Sequence, residues 1–247
     1  MRDEPWELPG FSLSRHDETY LTFLREVLRS GRKLVAGETF ITPDEEHAML
    51  ELIRDESEAS KTASRAPLLA NIKDYFVKAS KVESYRHGLI KRTIKELAAE
   101  GKVDGQYGTR HSLLHHELVK DGVDASRTVR PQLFGWNSIV IRKLAAGMSP
   151  DDISDVEYKR AFAESLMPAF WLDSVVCGKP SEKLSVSDVR FSTLVQNALF
   201  DRLTEEQLDR VIKEDDIRAP FTINGLPDPV VKKPTKAEII AFLDRNM

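Results

Sequence analysis

The sequence predicts an all-α protein of two helical lobes with extended N- and C-terminal arms. Three observations predict it. Apolar residues recur at intervals of three and four along most of the chain, the spacing of one helix face. Helix-start signals repeat at Thr42-Pro-Asp-Glu45, Ser149-Pro-Asp-Asp152, Thr204-Glu-Glu-Gln207 and Thr235-Lys-Ala-Glu238. In each, a hydroxyl can accept from an orphan backbone N–H while the later acid or amide reaches back. Gly- or Pro-containing polar stretches separate the periodic segments, and no internal repeat or low-complexity tract interrupts them.

Residues 1–33 are the expected N-terminal arm. Its helix runs from about Asp17 to Arg29, where Tyr20, Phe23, Leu24, Val27 and Leu28 form one apolar stripe. Lys33 to Ile41 is short and β-rich, a small strand or a connection. The N-terminal lobe spans 34–125. A second helix, Pro43 to about Asp55, buries Met49, Leu50 and Ile53, and the polar stretch Glu56 to Ala66 reads as a loop. A third helix, Pro67 to Ala79, buries Leu68, Leu69, Ile72 and Phe76. A fourth, Val82 to Glu100, buries Leu89, Ile90, Ile94 and Leu97 and stops at Gly101. Gly105 and Gly108 make a turn, and a fifth helix runs from Arg110 to Asp121. The polar segment Val123 to Val129 joins the lobes.

The C-terminal lobe spans 126–215. Its first helix, from about Pro131 to Ala146, is apolar nearly all round and belongs in the middle of a core. The next runs from Pro150 to Met167, is interrupted at Pro168, and continues as an apolar turn to Val176. Helices over Ser187 to Phe200 and Glu205 to Lys213 follow. Residues 216–247 hold Pro220, Pro227, Pro229 and Pro234, which predict an extended tail. The short helix Lys236 to Asp244 ends it, carrying Ile239, Ile240, Phe242 and Leu243 to dock on the chain's own body or on a neighbour.

The chain has 247 residues, 36 Lys+Arg and 40 Asp+Glu, a net charge of −4. No apolar run approaches a membrane span, so no membrane partner is expected. The acidic, proline-containing start is not the pattern of a secretory signal. The single cysteine, Cys177, excludes an internal disulfide and fits a reducing, cytoplasmic setting. The charge is not evenly spread. From Lys61 to Lys143 there are 16 Lys+Arg against 8 Asp+Glu, a local net of +8, while the remaining residues total −12. A basic block between acidic flanks says more about partners than the sum does.

Lys73, Lys78, Lys81, Arg86, Lys91, Arg92 and Lys95 carry that block, with Arg110, Arg127, Arg130, Arg142 and Lys143 beyond it. Tyr75, Tyr85 and Tyr107 lie among them. Cations for phosphates and rings for bases suit single-stranded nucleic acid; the competing reading is a solvated helix face. A second candidate is Arg110-His111-Ser112-Leu113-Leu114-His115, which matches the ribonuclease motif of helical HEPN domains. There His115 would do acid–base work and Arg110 would stabilise the pentavalent phosphate, with no metal. His111 and His115 are also one turn apart, but no further His or Cys cluster supports a metal site. No nucleotide-binding glycine loop, nucleophile elbow or zinc-protease motif is present. Neither metal nor cofactor is expected.

Several short segments together resemble the nucleocapsid proteins of phlebovirus-type negative-strand RNA viruses. In order they are Phe23-Leu24 with Leu28, Ile41-Thr-Pro-Asp-Glu-Glu46, Lys78-Ala-Ser-Lys81, Lys95 to Val103, Ser126-Arg127, Phe134-Gly135-Trp136 and Leu166-Met-Pro-Ala-Phe170. They span most of residues 20–175. The stretch Val103 to Val129 is longer than in that family, and its His before the proline is absent after Met167. The resemblance implies two helical lobes enclosing a basic groove for single-stranded RNA, with no catalysis. It implies that Lys78 and Lys81 contact the RNA backbone. It further implies an N-terminal arm that docks on the next subunit to build homo-oligomers, in the cytoplasm and the virion. Trp6, Tyr20, Phe23, Leu24, Val27 and Leu28 are the candidate oligomerisation residues. Lys73, Arg86, Lys91, Arg92, Lys95, Arg127 and Arg130 join the RNA-binding set by charge alone. The alternatives are the HEPN-type ribonuclease and a helical interaction or scaffold protein.

Overall fold

The computed structural model describes residues 42–103, 113–125, 135–167, 169–180 and 183–246, with Thr22, Arg25, Glu26, Arg29 and Ser30 before them. The chain divides into two compact units, Met1–Ala36 and Gly37–Met247. In the first, Thr22, Arg25, Glu26 and Arg29 are helical, and the Ser30 N–H donates to the Glu26 carbonyl at 3.0 Å. Trp6, Tyr20, Phe23, Leu24, Val27, Leu28 and the expected connection over 33–41 lie outside the described residues.

The described residues of the second unit form ten α-helices and no strand, so the chain is all-α. Helix α1 spans Pro43–Arg65. Thr42 opens it as expected, its Oγ1 accepting from the Glu45 N–H at 3.3 Å. The helix does not stop at Asp55. The stretch expected to be a loop continues it, because Ala59 and Ala63 supply a buried face without large side chains. Helix α2, Leu69–Glu100, is 32 residues long and unbroken, where the sequence predicted two helices. At the expected break Ala79, Ser80 and Val82 are all buried, and the Ser80 hydroxyl donates to the Val77 carbonyl at 2.8 Å. A serine satisfied within its own helix does not interrupt it.

Further helices are α3 (Leu114–Lys120), α4 (Trp136–Ala145), α5 (Asp155–Ser165), α6 (Ala169–Cys177), α7 (Val186–Asp201), α8 (Glu205–Glu214), α9 (Ala219–Ile223) and α10 (Lys236–Asn246). Ser149 caps only the 3-10 turn Pro150–Asp152. The long helix predicted from Pro150 opens instead at Ser154, where Ser154 and Glu157 form a capping box. Ser185 with Asp188 and Thr204 with Gln207 open α7 and α8 in the same way.

One large core holds Ile72, Phe76 and Ala79 of α2 together with residues of α4 to α10, and Tyr158 and Phe200 are fully buried in it. Two small clusters lie farther along α2. Met49, Val82 and Leu89 form one between α1 and α2, and Ile90, Leu114 and Leu118 form the other between α2 and α3. The expected lobe boundary at 125/126 therefore does not separate two independent cores. The first three turns of α2 belong to the large core and the remainder carries the two satellites.

The expected C-terminal arm is corrected within residues 216–246. Phe221, Leu226, Ile239, Phe242 and Leu243 are buried in the large core, and α10 packs on α6 and α7. Pro220 sits in the first turn of α9, where a missing N–H costs nothing. Pro234 is itself buried. The tract turns back on the body rather than reaching away from it.

Candidate nucleic-acid interface

The continuity of α2 sets the geometry of the basic block. All seven predicted cations from Lys73 to Lys95 lie on this one helix. At about 100° per residue, Lys73, Lys78, Lys81, Lys91, Arg92 and Lys95 fall within an arc of roughly 140° opposite the Ile72, Phe76, His87 and Ile90 face. Arg86 lies on the other side of that arc. The arrangement is a one-sided cationic ridge.

Most of the ridge is already paired. The Lys73 ammonium is 2.7 Å from Asp155 of α5 and stands over the Tyr158 ring. Lys78 meets Asp74 one turn back at 2.9 Å, and that hydrogen bond raises its pKa. Arg86 is 3.9 Å from the buried carboxylate of Glu83. Lys91 lies 3.6 Å from Glu117 and 3.5 Å from Asp121, and Lys95 donates to Asp121 at 3.3 Å. Lys95 and Lys91 together hold the Asp121 carboxyl below its ordinary value. Arg92 grips Glu45 of α1 through both terminal nitrogens, which raises the guanidinium's own pKa. Lys81 is exposed and has no carboxylate partner among the described residues. The Asp74–Lys78 pair was readable from its spacing of four. The carboxylates of Glu45, Glu117, Asp121 and Asp155 were not, because tertiary packing brings them in.

Arg110, Arg127 and Arg130 lie outside the described residues, as does Tyr107. Tyr85 donates to the Glu45 carbonyl at 3.1 Å, and Tyr75 packs against Phe76 and Phe162. Both rings are half-buried parts of helix packing. His115 donates from Nε2 to the Ala125 carbonyl at 3.1 Å, which uses one of its two ring nitrogens. Among the described residues no group of three His, Cys, Asp or Glu side chains is placed to hold a metal ion. Cys177 is half-buried with its thiol donating to the Asp188 carbonyl, and burial pushes its pKa up. Among the described residues no helix is long and apolar enough to cross a membrane.

Two hollows adjoin these helices. One, of about 420 Å³, is lined by Met49, Leu50 and Ile53 of α1 and Val82 and Arg86 of α2. The other, of about 600 Å³, is lined by Leu113, Ile139, Arg142, Lys143 and Met148. It combines aliphatic walls with two cationic side chains, of which Lys143 pairs with Glu157.

A buried acidic site escaped the sequence reading. Glu164 of α5 is 3% exposed and accepts from the backbone N–H of Asn137 at 2.8 Å, capping α4 from a different helix. Gly135, the residue before α4, leaves room for it. A Cβ there would stand 2.7 Å from Glu164 Oε1. Burial pushes Glu164 up to about 7, against the opposing Asn137 N–H and with the charge of Asp201 adding to the rise. Asp201 in turn accepts from the Trp136 indole, and Arg160 stacks on that ring at 4.8 Å. No local motif announces a cap supplied from 27 residues away.

Comparison of the chain with protein-family models, with curated proteins and with solved structures finds no match.

Proposed function

We propose that this chain is a single-stranded RNA-binding protein of the nucleocapsid type, which self-associates through its N-terminal arm and covers RNA along the α2 ridge. The observation that carries the reading is the continuity of α2, which sets six cations on one side of a single rigid helix. Their carboxylate partners do not oppose it. The Lys78–Asp74 and Lys95–Asp121 pairs are partly exposed and add little stability, and a phosphate can take the place of a carboxylate beside the same ammonium. Lys81, with no such partner among the described residues, is the natural first contact. The hollow beside Arg142 and Lys143 offers a base an aliphatic wall next to a cation.

The purified protein is expected to carry RNA, absorb as a nucleoprotein and run as a multimer. Lys78→Glu with Lys81→Glu should release that RNA, weaken binding at least about tenfold and flatten its salt dependence. A nucleic-acid-free monomer, together with a double variant that binds RNA as the parent does, overturns the proposal. Deleting residues 1–30 should lower the oligomeric mass in light scattering. An unchanged mass removes the arm from the assembly.

A further inference from the structure

The sequence placed the basic charge in the middle of the chain, but the fold assembles a second basic surface from its acidic C-terminal third. The turn Asp228 to Lys232 presents Val230 at 65% exposure and Val231 at 83%. This tip is held firmly. Asp228 accepts from the Val230 N–H through its side chain at 2.9 Å and from the Lys232 N–H through its carbonyl at 2.8 Å. Arg218 lies 3.7 Å from the Asp228 carboxylate, and Leu226 and Pro234 on either side are buried. Two largely exposed valines on a braced turn are not explained by packing.

Lysines surround the tip. Lys232 and Lys233 follow it directly, and Lys236 opens α10. The loop after α6 comes close from the other side. The Lys233 ammonium lies 3.9 Å from where a Cβ on Gly178 would stand, and Lys179 is the next residue. Lys179 and Lys232 are paired, with Asp188 at 2.8 Å and Glu238 at 3.1 Å. Lys233 and Lys236 are exposed and have no carboxylate partner among the described residues. Lys183, in the same α6–α7 connection, is exposed as well.

The chemistry of the tip selects its partner. Single-stranded RNA takes rings on which bases stack, and this tip is aliphatic. A protein partner takes a sizeable apolar patch, and two valines on a convex turn do not make one. A small aliphatic tip with a cationic collar fits the interface of an anionic bilayer, where side chains enter among the headgroups and lysines meet lipid phosphates and carboxylates. We propose that the Asp228–Lys236 loop docks this protein peripherally on an anionic lipid surface, with Val230 and Val231 entering the interface and Lys233 and Lys236 facing the headgroups.

The test uses the full chain, nuclease-treated, with extruded vesicles of phosphatidylcholine alone or with added phosphatidylserine. Cosedimentation is expected with the anionic vesicles and not with the neutral ones. Val230→Asp with Val231→Asp should weaken it at least about tenfold. Lys233→Glu with Lys236→Glu should weaken it at least about twentyfold, since each lysine near the surface contributes about a factor of five. Both variants should keep the parent's thermal unfolding and its affinity for a single-stranded RNA probe, so failure here is distinct from failure of the RNA-binding proposal. The inference is overturned if the parent does not sediment with anionic vesicles at low salt, or if the valine variant binds them as the parent does. It is equally overturned if the lysine variant loses RNA instead, which would make the collar a second RNA contact.

Discussion

Phe242→Ala should destabilise the folded chain by about 3–5 kcal/mol, the range for emptying an aromatic site in a close-packed core. Phe242 is 1% exposed on α10, the last helix, and belongs to the same cluster as Phe76 and Tyr158. A terminal helix that merely rested on the surface would lose far less. Urea unfolding monitored by circular dichroism measures the difference. A loss below about 1 kcal/mol would mean that α10 docks as an appendage after all. The contrast with Ile240, 41% exposed on the same helix, supplies an internal control, because Ile240→Ala should be close to neutral.

Glu164→Gln should change how stability depends on pH. The folded chain raises this carboxyl from 4.5 to about 7, chiefly because its charge is buried. The folded state therefore holds the proton more tightly than the unfolded state. That contribution is fully present below about pH 4.5 and is lost as pH rises through about 7. The shift corresponds to about 3 kcal/mol between those limits. Glutamine keeps an oxygen to accept the Asn137 N–H and cannot ionise. Unfolding free energies at pH 5 and pH 8 should thus fall for the parent and change less for the variant, leaving the variant the more stable at pH 8. Equal slopes for the two proteins would show that Glu164 stays ionised in the core.

The fold class was legible in the sequence because its signals are local. Thr42, Thr204 and Thr235 open helices where their spacing predicts. Ser149 shows the limit of that logic, since a rival signal at Ser154-Asp-Val-Glu157 won the helix five residues later. Ala59 and Ala63 hid the second half of α1, because a face built from alanine has no apolar period to read. Ser80-Lys81 read as a break, yet the Ser80 hydroxyl is satisfied by the Val77 carbonyl within one continuous helix. The prolines of the last thirty residues misled for a related reason. Proline fixes φ and removes a donor, which suits tight turns between buried residues as well as an open tail. The cations of the candidate interface were all visible by composition. Their partners were not, since Arg92 meets Glu45 and Lys73 meets Asp155 only after the chain has folded.

The unbroken α2 has a mechanical meaning. At 32 residues it is about 48 Å long. Its first three turns are clamped in the large core, while among the described residues the end bearing Lys91, Arg92 and Lys95 packs in small clusters and ion pairs against α1 and α3. It is a cantilever. A polymer pulling on the far end meets no hinge at Ser80-Lys81 to absorb the load, so the force passes as a bending moment to the root at Ile72 and Phe76. The braces Arg92–Glu45 and Lys95–Asp121 stand where deflection would be greatest. Loosening either should soften the beam before it weakens the anchor.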